Sequence, residues 1–193
     1  MQPNKISLVS LVAGAVMFLL PWVEVQCKGR TFLRQTGVQA AVGAVSIAEE
    51  FTQGAKMQQP DGDKSLGIGF LIVASGAFTG VALLAAWRAV KNDYHEPEKI
   101  GRYAGIAAGL IGVQMLIGFP LEQGLREALK TGLDGKGKDP LEAAVQQQVA
   151  AVFQPKYMPA LYLYLAALAV PALQWLTASR KERGNSEPAP FSP

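Results

Sequence analysis

Four long stretches of this chain contain no charged side chain, and that distribution limits the folds open to it. They are Ile6–Val23, Ser65–Trp87, Tyr103–Pro120 and Tyr157–Ser179, of 18, 23, 18 and 23 residues. A helix needs about 20 apolar residues to cross the roughly 30 Å hydrocarbon core of a bilayer. Lipid offers no partner to a free backbone N–H or C=O, so an open chain crosses it as helix. The expectation is an all-α membrane protein, a four-transmembrane-helix bundle with a small external cap. One membrane domain would cover residues 1–179, with helices at about 6–23, 65–87, 103–120 and 157–179. Outer loops would occupy 24–64 and 121–156, and 180–193 would form a disordered cytoplasmic tail rich in proline and polar residues.

Composition agrees. Half the residues are hydrophobic and 17% are charged, against roughly 25% in a soluble domain. The first stretch has the length of a signal peptide, but only Lys5 precedes it and no small-x-small cleavage site follows it. Pro21-Trp22-Val23-Glu24 reads instead as the end of an uncleaved helix.

Sidedness follows from Lys and Arg. Met1–Lys5, Arg88–Arg102 and Arg180–Pro193 hold eight of them in 34 residues, while Glu24–Lys64 and Leu121–Lys156 hold ten in 77. The denser set flanks the helices directly, so both termini are expected in the cytoplasm. Aromatic residues expected at the membrane interface are Trp22, Trp87, Tyr157, Tyr162, Tyr164 and Trp175. Compact loops and the lack of paired external cysteines point to a bacterial cytoplasmic (inner) membrane.

The outer loops carry patterns of their own. Trp22–Cys27 alternates apolar and polar residues, Lys28-Gly29-Arg30 is a turn, and Thr31–Thr36 has strand composition, which together predict a β-hairpin. Gly37–Phe51 reads as helix, with Val38, Val42 and Val45 on its apolar side, and Gln58–Asp63 as a turn. Leu121, Leu125 and Leu129 mark one short amphipathic helix. Asp139-Pro140-Leu141-Glu142 caps a second, whose stripe is Leu141, Val145, Val149 and Val152.

Within the membrane stretches the informative residues are small or neutral. Gly101, Gly105 and Gly109, followed by Gly112, line the third helix, and Gly76 and Gly80 share the four-residue spacing on the second. Such spacing lets helix backbones approach closely, either between these two helices or at a subunit interface. Gln114 is the polar group deepest in a stretch and is expected to hydrogen-bond a neighbouring helix; Gln174 lies nearer an interface. Pro171 removes one backbone bond from the fourth helix and predicts a bend. No ionisable side chain lies inside a stretch, which argues against a proton-coupled pump.

Chemistry is excluded mostly by what the chain lacks. One cysteine, Cys27, allows no intrachain disulfide, and one histidine, His95, allows no His-pair haem site. Asp134–Asp139 superficially resembles a calcium loop, but lysines stand where oxygen ligands belong. A phosphate-cradling Gly-Lys-Ser/Thr loop is missing. A net charge of +3 without a basic stripe gives no case for nucleic acid. No cofactor or metal is expected, and no catalytic residue.

Four helices, internal termini and a β-containing first outer loop after Trp22 resemble the claudin-like tetraspan architecture. That family's first loop carries a Trp-Cys-Cys-type motif with a disulfide, whereas this chain has Trp22 and Cys27 alone. The resemblance therefore extends to architecture only. The functional expectation is a non-catalytic tetraspan protein, an accessory or scaffolding subunit whose partners are the lipid bilayer and other membrane proteins or itself. The alternative is a carrier or binder of a lipid or neutral small molecule at Gln114. A third reading is an enzyme acting through outer-loop carboxylates such as Glu24, Glu49 or Glu50.

Overall fold

The structure, a computed structural model, describes residues 3–27, 30–47, 69–92, 97–131 and 153–185. These residues are mostly helical. In chain order they form α1 (Pro3–Phe18), β1 (Pro21–Cys27), β2 (Arg30–Thr36), α2 (Gly37–Val42), β3 (Ser46–Ile47), α3 (Phe70–Lys91), α4 (Pro97–Ile117), α5 (Pro120–Thr131), β4 (Phe153–Tyr157) and α6 (Pro159–Asn185).

Three helical stretches are long and apolar enough to cross a membrane: Phe70–Lys91 with 22 residues, Pro97–Arg126 with 30 and Pro159–Arg180 with 22. In their most apolar windows only 28%, 44% and 28% of residues are buried within the protein. Large apolar side chains instead face outward, among them Phe70 at 75% exposure and Leu116 at 88%. In water such surfaces would be penalised by roughly 25 cal/mol per Å². A hydrocarbon surround removes that penalty, so these features mark an integral membrane protein.

The first stretch behaves differently from its charge pattern. Helix α1 ends at Phe18, after 16 residues, and the uncharged run continues as a turn and then as strand β1. At 1.5 Å per residue α1 is about 24 Å long. The other boundaries shift as well. Helix α3 runs past Trp87 to Lys91, α4 begins at Pro97, and α6 begins after strand β4 has used Tyr157. Helix α6 is continuous through Pro171 and continues to Asn185, so residues 180–185 are helical rather than part of a disordered tail.

The chain divides into two compact units: Met1–Val16, Ala74–Ile111 and Leu163–Pro193; and Met17–Val73 with Gly112–Tyr162. The described residues of the first are almost all helical, and α6 touches three other helices among them. Ser7 Oγ donates to Gln174 Oε1 at 2.6 Å, and Ser10 Oγ donates to the Ala167 carbonyl, joining α1 to α6. Position 7 meets 174 and position 10 meets 167, so the two helices run antiparallel. Helices α3 and α4 meet through Ser75 Oγ, which donates to Ala107 O at 3.0 Å, and through the stacked rings of Phe78 and Tyr103.

The second unit contains a four-stranded sheet of order β3-β2-β1-β4. The predicted hairpin is present: β1 and β2 pair antiparallel, with Cys27 opposite Arg30. The turn residues Lys28 and Gly29 lie outside the described residues. Strand β4 pairs antiparallel with β1, Val23 opposite Tyr157 and Val25 opposite Pro155. Proline cannot donate to a ladder, and it stands here on an edge strand, where that is tolerated. The central strand β1 is covered on both faces, since Trp22, Val23, Glu24 and Val25 are all buried.

Helix α2 is shorter than the expected 37–51. Thr36 and Gln39 form a reciprocal capping box at its start, and Gly43 ends it in the left-handed region at φ 72°. That conformation strains any side chain with a Cβ and is a common helix stop. Residues 46 and 47 then pair with β2. The amphipathic helix marked by Leu121, Leu125 and Leu129 is present as α5. The second amphipathic helix at 139–152, the turn at 58–63 and His95 lie outside the described residues.

Candidate functional site

The glycines selected for helix packing separate into two groups. Gly101 faces α6: a Cβ there would collide with Trp175 Cβ and lie 2.6 Å from the Pro171 carbonyl, so only glycine fits. A Cβ on Gly105 would sit 3.8 Å from Ala172, also on α6. The close approach therefore joins α4 to α6, where the spacing alone suggested the second and third helices. Gly80, Gly109 and Gly112 form the other group, with no heavy atom within 4 Å of a Cβ built at any of them. Gly76 is half-buried on α3.

The aromatic residues expected at the headgroup level separate too. Trp87 is 58% exposed and Tyr162 52% exposed, while Trp175 and Tyr157 are half-buried. Trp22 is fully buried and faces no lipid. Its indole N–H donates to the Met17 carbonyl at 2.9 Å, and its ring meets Phe18 and Phe119 edge-on. It is a core residue of the second unit, and truncating such a side chain costs about 3–5 kcal/mol.

Tyr164 is likewise fully buried rather than interfacial. Its hydroxyl lies 2.7 Å from Thr79 Oγ1 and 3.1 Å from Ser75 Oγ. The Ser75 proton goes to Ala107 O and the Thr79 proton to Ser75 O. The single Tyr164 proton is therefore the one left to link these oxygens, and Thr79 Oγ1 at 2.7 Å is its nearer acceptor. The three hydroxyls form a closed network linking α3, α4 and α6, which the sequence reading overlooked. Its signal was present: Ser75 and Thr79 are four apart, hence on one helix face.

Among the described residues, Gln114 bonds to the end of its own helix. Its Nε2 donates to Gly118 O at 2.7 Å, and Gln123 Nε2 donates to the same carbonyl at 3.1 Å. Both amides satisfy backbone at the break between α4 and α5, where Gly118 has φ 95°.

Two buried carboxylates in the second unit have side-chain partners. Glu24 has 7% side-chain exposure, receives Arg34 Nε at 2.8 Å, and accepts from Thr31 Oγ1 at 3.2 Å. Its register neighbours are Arg34 on β2 and Lys156 on β4. Glu122, near the start of α5, is buried and accepts a hydrogen bond from Tyr157. Burial, reinforced by the Glu122 charge and hydrogen bond, pushes the Tyr157 hydroxyl up to about 12. Gln35 is fully buried; its Nε2 donates to Ala44 O at 2.9 Å and its Oε1 has no partner among the described residues. Among the described residues no three His, Cys, Asp or Glu side chains converge. Glu49 and Glu50 lie outside the described residues.

Compared with models of protein families, with curated proteins and with solved structures, the chain matches none. Its function is therefore argued from its residues.

Proposed function

We propose that this chain is a non-catalytic tetraspan membrane protein, an accessory or scaffolding subunit that associates with other membrane proteins or with a second copy of itself. The observation that carries the reading is the open space at Gly80, Gly109 and Gly112. Small residues on apolar helices permit backbone-to-backbone contact. Gly101 is already used inside the chain, whereas Gly80 and Gly109, both in the first unit, each leave room for close approach by a helix from elsewhere.

Helix α1 supplies the fourth span in this reading. One side of it packs on α6 through Ser7, Ser10 and Gly14, and the other exposes Val9, Val12 and Val16. Its modest length is supplemented by the exposed Leu19 and Leu20. The higher density of Lys and Arg in the terminal segments and the 88–102 connection supports termini in the cytoplasm. The compact loops and single cysteine support a bacterial inner membrane. Gln114 is engaged with Gly118 and lends nothing to the carrier reading. Glu24, held by Arg34, lends nothing to the outer-loop enzyme.

The test is crosslinking in native membranes followed by identification of the captured chain. The expected result is a membrane protein or a second copy, captured by the native chain and lost in Gly80→Leu and Gly109→Leu. A monodisperse monomer in mild detergent, with no crosslinked species from membranes, would overturn the proposal.

A further inference from the structure

Helix α2 has its polarity arranged in a way that water does not favour. Its buried residues are Gly37, Ala40 and Ala41, while the larger Val38 and Val42 are exposed at 42% and 60%. A short helix on an aqueous surface gains most by turning its largest apolar groups inward. Here the orientation is fixed from both ends. Thr36 Oγ1 accepts from Gln39 N at 3.1 Å, Gln39 Oε1 accepts from Thr36 N at 3.0 Å, and Gln39 Nε2 donates to Ser46 Oγ at 2.6 Å. The caps hold the valines outward, four residues apart and on one side of the helix.

The neighbours of α2 identify the medium they meet. A Cβ on Gly69 would lie 2.6 Å from the Ala40 carbonyl, so α2 lies directly against the residue that precedes α3. There α3 enters its apolar span, with Phe70 and Val73 at 75% and 46% exposure. Residues 35–48 contain no charged side chain. Exposed apolar side chains of α2 and of the first turn of α3 thus flank one close backbone contact.

We infer that α2 is a membrane-surface helix that places Val38 and Val42 in the acyl region of the leaflet meeting the start of α3. An interfacial helix of this kind sits with its apolar side roughly 5–10 Å into the headgroup and acyl boundary. The inference rests on the bilayer reading of α3 and not on the association with partners.

The test uses spin labels in nanodiscs of phosphatidylethanolamine and phosphatidylglycerol, on a Cys27→Ser background. Labels are placed by Val38→Cys, Val42→Cys, Leu84→Cys on α3 and Ser46→Cys on β3. Accessibility to dissolved oxygen is compared with accessibility to a water-soluble nickel chelate. Positions 38, 42 and 84 are expected to favour oxygen and position 46 nickel. Position 42 favouring nickel as position 46 does, while 84 favours oxygen, overturns the inference alone; position 84 favouring nickel overturns the bilayer reading itself. Exclusion of both reagents at 38 and 42 means that protein covers them, which also overturns it. A photo-crosslinking residue at position 42 in the otherwise native chain gives an independent readout. Capture of phospholipid supports the inference, and capture of protein contradicts it.

Discussion

Thr79 Oγ1 and Tyr164 Oη lie 2.7 Å apart in the buried interior of the helical unit. All three hydroxyl residues of this network are buried, so each hydroxyl needs a protein partner. Replacing Tyr164 by Phe removes the linking donor and keeps the ring. Interhelical hydrogen bonds in membranes average about 0.6 kcal/mol and reach about 1.7 kcal/mol. Tyr164→Phe is expected to destabilise within that range in unfolding measurements in detergent or bicelles. Tyr162→Phe, at a position 52% exposed, is expected to change stability little.

The glycines predict opposite outcomes at neighbouring sites on one helix. Gly101→Ala places a Cβ against Trp175 and the Pro171 carbonyl, an overpacking expected to cost about 1–3 kcal/mol. Gly109→Ala meets nothing within 4 Å and raises helix propensity, with a gain of up to about 1 kcal/mol. Thermal unfolding of the two variants in the same detergent distinguishes them.

The Glu24–Arg34 pair joins a nearly buried carboxylate, at 7% side-chain exposure, to a guanidinium at 52%. Removing the arginine leaves a buried charge without its main partner, which costs more than removing both groups. Arg34→Met is therefore expected to be less stable than the Glu24→Gln/Arg34→Met double variant. A double-mutant cycle read by unfolding checks the order.

Tyr157 supplies a pH dependence. Its hydroxyl titrates near 10.0 when unfolded and near 12 when folded. Between those values the unfolded chain has lost the proton and the folded chain retains it, so stability falls as pH rises. The contribution is fully present below pH 10. Tyr157→Phe is expected to flatten this part of the stability profile, and tyrosinate absorbance of the folded protein to lag that of the unfolded chain.

The hairpin was legible because alternation is local: Trp22–Cys27 and Thr31–Thr36 carry the period of a strand within themselves. Strand β4 was not, since Phe153-Gln-Pro-Lys-Tyr becomes a strand by pairing with β1 more than a hundred residues earlier. The end of α1 was misread for a different reason. Lack of charge marks burial without saying whether lipid or protein does the burying, and Trp22 is buried by Phe18 and Phe119. The same ambiguity placed Tyr164 at an interface. The stop at Gly43 was available in the sequence, but the valine spacing across it favoured a longer helix. Glycine spacing names neither a partner nor which glycine is used: Gly101 lies against α6, while a Cβ at Gly80, Gly109 or Gly112 would touch nothing among the described residues.

The central claim is that the apolar stretches 70–91, 97–126 and 159–180 lie in a bilayer. Its most direct test is to express the full chain, isolate membranes and wash them with alkaline carbonate, following the protein between pellet and supernatant. The account predicts that it stays in the pellet and is released only by detergent. Recovery in the supernatant as a folded species, stable in buffer without detergent or lipid, would contradict it.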